Sequence, residues 1–353
     1  MTLPISKLQQ GAEVINPGND YKIILRNDIP VSDPGSNEVL VKLTCTGLCH
    51  SEVRAVLGWS SYCSIIGHEG IGTIVKTGPG VAESAALGQR VGVKWLYSAC
   101  NACSVCQRGY QHNCPRQVNT SRHVPGTLQQ YVVADARFLT RIPDGVSDEV
   151  AAPLLCAGLT MAGALSKLDN VLEQGDFIVI SGSGGGLGHI GVQIAARIKK
   201  LRVIAVDAGE EKRKLSLSSG AEVFIDYRDE DVAARVHEIT GEGAHATIVV
   251  PGTREAFAMA PNVVRNMGLI VCVGLPPNDM DLPISATACA ARGISIIGSS
   301  VGTEDQMGEL LQQAATGHIT PSIQTFDFSH TPALINGLKD DAITGRAVVR
   351  IPP

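Results

Sequence analysis

Phe177-Ile178-Val179-Ile180-Ser181-Gly182-Ser183-Gly184-Gly185-Gly186-Leu187-Gly188 is an apolar run that breaks directly into glycines. The first five residues predict a buried strand, and the glycines predict a tight turn. Residues 190–199 follow, with Ile190, Val192, Ile194, Ala195 and Ile198 at helical spacing. Strand, glycine turn and helix in that order let a pyrophosphate approach backbone N–H groups where the helix dipole favours anions. The literal G-x-G-x-x-G pattern falls on Gly186, Gly188 and Gly191, too far from the strand. The favoured register is Gly182, Gly185 and Gly188, with Gly186 and Leu187 in the same loop.

Working outward, further apolar runs occupy residues 202–206, 223–226, 246–250, 269–273 and 294–297. Six such strands separated by helical patterns predict an α/β fold with a parallel, doubly wound sheet over residues 158–297. The second run ends at Asp207, about twenty residues past the glycine loop, where a carboxylate would accept hydrogen bonds from ribose hydroxyls. It would also repel a 2′-phosphate, which favours NAD over NADP, although Lys212 and Arg213 nearby soften that preference. Residues before about 155 are β-rich with long loops, as in Glu38-Val39-Leu40-Val41-Lys42-Leu43. After residue 298 come a helix over 305–315 and a short strand, Arg346-Ala347-Val348-Val349-Arg350.

Composition agrees with this layout. The chain has 353 residues, enough for about two domains. Abundant glycine (38) and scarce aromatics (4%) fit many strand-to-helix turns better than a sandwich or coiled coil. A formal charge of −5 gives no footprint for nucleic acid or an anionic membrane. The apolar runs read as too short to span a bilayer, and the first residues carry no charged-then-apolar signal. A cytoplasmic address is the expectation. In that reducing compartment the ten cysteines are expected as metal ligands, reactive thiols or small buried groups rather than disulfides. Cys45, Cys63, Cys272 and Cys289 read as buried small residues.

Cys100, Cys103, Cys106 and Cys114 lie at the short spacing that closes four thiolates around one tetrahedral Zn²⁺. Four protein ligands leave no open position, so this predicts a structural site. Cys49, His68 and Cys156 are dispersed. They would supply two thiolates and an imidazole and leave a fourth position open, the catalytic pattern. Spacing alone does not single them out, because a histidine beside glycine and a cysteine in Leu-Leu-Cys-Ala also suit ordinary packing.

Together the motifs resemble the zinc-containing medium-chain alcohol dehydrogenases, nearest their yeast and fungal branch. The resemblance rests on Gly47-Leu48-Cys49-His50-Ser51-Glu52, Gly67-His68-Glu69-Gly70, Gly92-Val93-Lys94-Trp95-Leu96, the four-cysteine segment, Leu155-Cys156-Ala157-Gly158-Leu159-Thr160, the glycine loop and Gly345-Arg346-Ala347-Val348-Val349. It implies a GroES-like catalytic domain built from residues 1–157 and 298–353, with a zinc lobe at about 95–118, around a Rossmann domain over 158–297. It implies two zinc ions per chain, one structural and one held by Cys49, His68 and Cys156. Glu69 would lie close to that second ion and coordinate it transiently, and Glu52 would orient His68. Ser51 would take the substrate proton, His50 and Arg346 would contact the cofactor pyrophosphate, and Lys212 the ribose. Thr160, Gly274 and Leu275 would lie against the nicotinamide, and Trp95 would wall the substrate pocket. The chain would act on a small alcohol or carbonyl as a homotetramer or homodimer.

Two departures stand out. Arg54 occupies the position where the family usually ends its proton relay in histidine, and arginine accepts no proton at neutral pH. The 49–68 segment is short and places Trp59 out of the family's alignment, so ethanol is not implied as substrate. Two other functions fit parts of the pattern. A zinc-stabilised nucleotide sensor would need only the four-cysteine lobe and the glycine loop, and an enone or quinone reductase would lack both zinc sets.

Overall fold

The computed structural model describes residues 5–277 and 280–353. The chain divides into two compact units, residues 1–156, 303–315 and 323–353 in one and residues 157–302 and 316–322 in the other.

In the second unit, six parallel strands line up in the order Val223–Asp226, Arg202–Asp207, Phe177–Ser181, Ala244–Val249, Val264–Cys272 and Ser295–Gly298. All six lie within one or two residues of the sequence expectation except Val264–Cys272, which starts five residues early. Helices cover both faces of such a sheet, so the strands read as continuous rather than alternating apolar runs. Val179, Ile204, Ile225, Val249 and Ile270 are fully buried in its core. Strand order reverses between Phe177–Ser181 and Ala244–Val249, the switch point at which doubly wound sheets bind ligands. The Gly182–Gly188 turn emerges there. The expected 190–199 helix is the α-helix Gly188–Gln193 running into a π-helical turn, Ile194–Ile198.

The first unit is built on a seven-stranded sheet. Its strands run Ile323–Asp327, Arg346–Arg350, Glu38–Gly47, Gly70–Thr77, Arg90–Val93 and Thr140–Arg141, with Tyr131–Asp135 also paired to Glu38–Gly47. Glu38–Gly47 is antiparallel to each of its three partners and buries Val39, Val41 and Leu43. The C-terminal strand thereby lies against the N-terminal part of the chain, Val349 opposite Thr46. A separate lobe is closed at its base by the pair Leu96–Ser98 and Val118–Asn119. The helix expected over 305–315 is Glu304–Ala315.

Two expectations are corrected. One helical run, Asp148–Ser166, is long and apolar enough to cross a membrane, with a mean hydropathy of 1.4. Pro153 and Gly158 look like breakers in sequence, but a π-helical turn at Leu154–Gly158 absorbs them and the helix continues. Its most apolar window is 67% buried within the protein, so the apolar side chains serve core packing. Of the four cysteines read as buried, only Cys45 is. Cys63, Cys272 and Cys289 are half-buried, since they sit in a loop, at a strand end and on a helix, Ala286–Arg292, that buries no residue fully.

Candidate active site

The strand Glu38–Gly47 delivers the chain to Cys49, which caps the N-terminus of the helix His50–Val56. Glu52 stands at the third helical position, and its Oε2 accepts the Cys49 backbone N–H at 2.6 Å. Its other oxygen, Oε1, lies 2.9 Å from His68 Nδ1. One carboxylate, 1% exposed, therefore orients both residues. His68 enters from the loop before the strand Gly70–Thr77, and its Nε2 lies 3.2 Å from Cys156 Sγ. Cys156 sits in the π-helical turn that follows Pro153. Such turns displace side chains from the regular helical register and recur at functional sites. Cys156 Sγ is 3.9 Å from Cys49 Sγ.

One ligand atom each from Cys49, His68, Glu69 and Cys156 gathers so that all four atoms lie within 4.8 Å of one another. A 3.9 Å sulfur–sulfur separation is far from a bond of about 2.05 Å. It is close to the edge of about 3.8 Å expected for two thiolates on a tetrahedral zinc with Zn–S of about 2.3 Å. The donor set therefore fits zinc. The hydrogen bond shared with Cys156, then that from His68 and the nearby Arg346 charge, hold the Cys49 thiol well below its usual range against desolvation. Cys156, at the other end of the same bond, is pushed well above it.

Glu69 and Arg346 form a buried ion pair, Nη2 reaching both carboxylate oxygens at 2.5 and 2.6 Å. Burial nonetheless pushes the Glu69 carboxyl up to about 7, against the pull of Arg346. Gly47 leaves this pair its room, because a Cβ there would stand 2.0 Å from Glu69 Oε2. Gly47 opens one of the motifs in the sequence, but its need for a hydrogen side chain appears only once Glu69 packs against it. Arg346 Nε is buried and has no partner among the described residues.

Ser51 Oγ lies 3.8 Å from Cys49 Sγ, while His50 is exposed. Trp95 packs edge-on against His68 at 5.2 Å between centroids, with Tyr62 6.3 Å beyond. The Arg54 guanidinium lies 5.8 Å from the centroid of the Trp59 ring.

In the separate lobe, Cys100, Cys103, Cys106 and Cys114 form a second cluster, all four sulfurs within 4.8 Å of one another and three of the pairs 3.5 to 3.9 Å apart. Backbone N–H groups of Ala102 and Cys103 pull the Cys100 thiol down to about 5, while desolvation pushes Cys106 up to about 12. Four sulfurs at tetrahedral-edge separations again fit zinc, with no vacancy.

The second unit carries the remaining expected residues. Gly188 packs so tightly on Gly182 that a Cβ would stand 2.0 Å from the Gly182 carbonyl oxygen. Asp207 is 5% exposed and accepts Gly184 N–H and Ala208 N–H, each at 2.9 Å. Lys212 Nζ lies 3.6 Å from Asp207. Thr160 is buried at the start of Leu159–Ser166. Gly274 N–H donates to the Val249 carbonyl, and Leu275 is 70% exposed.

Two family profiles match the chain, "Alcohol dehydrogenase GroES-like domain" over residues 35–144 and "Zinc-binding dehydrogenase" over 186–316. Among curated relatives it is 37% identical to alcohol dehydrogenase 2 of Emericella nidulans, with 98% of each chain covered. It is 35% identical to an alcohol dehydrogenase of Schizosaccharomyces pombe, with 99% of each covered. Among solved structures it is similar to acetophenone reductase from Geotrichum candidum in complex with NAD, at 27% identity and a TM-score of 0.85, covering 99% of this chain and 98% of that one.

Proposed function

The chain belongs to the zinc-binding alcohol dehydrogenase family, and from that premise we propose that it reversibly interconverts an alcohol with its aldehyde or ketone, with NAD(H) as hydride partner and two zinc ions per chain. The observation that carries this reading is the convergence of Cys49, His68 and Cys156, residues far apart in sequence, on one point. Zinc held there would supply a Lewis acid that makes an alcohol hydroxyl more acidic. NAD would supply the hydride acceptor.

The protein's own groups then divide the work. Ser51 Oγ, beside Cys49, accepts the substrate proton. Arg54 cannot carry it further, so it leaves through water or through the exposed His50. Glu52 keeps His68 and Cys49 aligned. Arg346 holds Glu69 by both oxygens, keeping that carboxylate beside the three ligands in reserve as a fourth. The unpartnered Arg346 Nε supports a further acceptor near it, and the cofactor pyrophosphate would supply one, with His50 as its second contact. Trp95 walls the substrate side of His68.

For the cofactor, Gly182, Gly185, Gly186, Leu187 and Gly188 would take the pyrophosphate. Each Asp207 oxygen spends one lone pair on a backbone N–H and keeps another for a ribose hydroxyl. That buried negative charge disfavours a 2′-phosphate, and Lys212 completes the ribose contact. Thr160, Gly274 and Leu275 would lie against the nicotinamide. The parallel sheet ends in Ser295–Gly298, where Ile296 is 39% exposed, and Met267, in the neighbouring strand Val264–Cys272, is 71% exposed. An open apolar edge of this kind supports a homodimer or homotetramer, and the free cysteines support a cytoplasmic address.

The test is an absorbance screen at the reduced-cofactor band. It would cover primary, secondary, allylic and aromatic alcohols and their carbonyls, with NAD(H) and NADP(H) in parallel, alongside elemental analysis. Turnover with NAD and two zincs per chain is expected. A protein with no turnover and one zinc, or with enone reduction and none, overturns the proposal.

A further inference from the structure

The helical run after the dinucleotide loop turns His189, Gln193 and Arg197 to one side, at i, i+4 and i+8. All three spend polar atoms on the backbone of residues 318–322. Gln193 Oε1 accepts Thr320 N–H at 2.7 Å and its Nε2 donates to the Thr320 carbonyl at 3.1 Å. Arg197 Nη1 donates to the His318 carbonyl at 3.3 Å. Ser322 N–H donates to His189 Nε2 at 3.0 Å. Only His189 also reaches back into the loop, its Nδ1 lying 2.8 Å from the Gly185 carbonyl oxygen.

The protonation pattern follows from the partners. A backbone N–H can only donate, so Nε2 of this fully buried ring carries the lone pair. Nδ1 then carries the hydrogen and donates it to Gly185. The Gly185 oxygen thus receives two hydrogen bonds from the same residue, the other from His189 N–H at 3.1 Å. No cis peptide occurs in the described chain, so the N–H of Gly186 points opposite to the Gly185 carbonyl. Gly184, Gly185 and Gly186 are consecutive, and glycine loses the most backbone freedom on ordering. A side-chain tie at this point fixes a peptide plane that the glycines leave loose.

We propose that His189 is a positioning residue for the dinucleotide, its neutral imidazole holding the Gly185–Gly186 peptide so that the Gly186 N–H is presented to the cofactor pyrophosphate. This rests on the dinucleotide reading of the loop, and it predicts that the Gly185 hydrogen bond, rather than the Ser322 bond, governs affinity. Two substitutions separate the bonds. His189→Asn places an amide N–H near the position of Nδ1 and loses the Ser322 acceptor. His189→Gln places its amide near Nε2, keeping an acceptor for Ser322 and losing the donor to Gly185.

Dissociation constants of NAD, ADP-ribose and adenosine are measured by calorimetry on the zinc-loaded full chain, with thermal melting of each variant in parallel. The expected result is that Gln weakens NAD and ADP-ribose about fivefold or more, the value of one hydrogen bond. Adenosine binding stays unchanged, and Asn remains within about twofold of wild type on the same scale. The KM for NAD rises in the Gln variant with kcat retained. Equal losses in both variants, a larger loss in Asn, or a parallel loss of adenosine overturns the proposal while leaving the cofactor reading intact. A wild-type protein that binds neither NAD nor ADP-ribose overturns both.

Discussion

Replacing Glu52 with glutamine tests how the candidate metal centre is held. The carboxylate, 1% exposed, accepts the Cys49 backbone N–H at 2.6 Å and sits 2.9 Å from His68 Nδ1. With His68 Nε2 turned to the cluster, Nδ1 bears the hydrogen, so both groups facing Glu52 are donors. Glutamine offers one acceptor and one donor in the same shape. One of the two contacts must become N–H against N–H, and the charge that strengthened the other is gone. A hydrogen bond to a charged group contributes about 1.5–3 kcal/mol, which is about 10–100-fold in affinity. Second partners of metal ligands show the same range on substitution, about 10–100-fold. The assay is competition with a zinc chelator, following two release phases on the loaded protein. Glu52→Gln is expected to loosen one zinc by that factor and leave the other, held by Cys100, Cys103, Cys106 and Cys114, at its wild-type rate. Release of both at wild-type rates would refute the role given to Glu52, and loosening of the lobe zinc instead would refute the assignment of the two sites.

Other substitutions probe the remaining parts. Cys106→Ser should lower the zinc content from two per chain to one and reduce the melting temperature while leaving NAD affinity unchanged, checked by elemental analysis and calorimetry. Gly188→Ala forces a Cβ to within 2.0 Å of the Gly182 carbonyl oxygen; a strain of about 1–3 kcal/mol is expected, read as a lower melting temperature with weakened NAD binding. Asp226 accepts Gly209 N–H at 2.7 Å and Arg228 N–H at 3.0 Å, and these bonds hold its carboxyl below the ordinary 3.8. Its contribution is fully present above pH 3.8 and is lost as pH falls through the lowered value. Asp226→Asn should flatten that limb of the acid denaturation curve.

Local chemistry made much of the molecule legible before any fold was known. The strands of the parallel sheet are buried on both faces, so each reads as an unbroken apolar run, and five of six were placed within two residues. In Val264–Cys272 the buried first residue is followed by Arg265, Asn266 and Met267, partly or fully exposed, which carry no strand signature. The four lobe cysteines are legible because their spacing already permits closure around one ion. The length of the helical run Asp148–Ser166 escaped the sequence reading for a complementary reason. Pro153 and Gly158 oppose a regular helix, yet the widened turn between them keeps the helical run intact and places Cys156.

What the chain determined by itself is what depends on neighbours in sequence: the glycine turn between strand and helix, the lobe cysteines and the buried strands. What only the tertiary structure decided is everything made by residues brought together from far apart. Cys49, His68 and Cys156 become a donor set through the pairing of Glu38–Gly47 with Gly70–Thr77 and the π-helical turn at Cys156. Arg346 meets Glu69 because the C-terminal strand returns to that same sheet, and His189 acquires its tautomer from a backbone N–H more than a hundred residues away. A side chain's partners fix its charge and direction, and partners distant in sequence are assigned only by the fold.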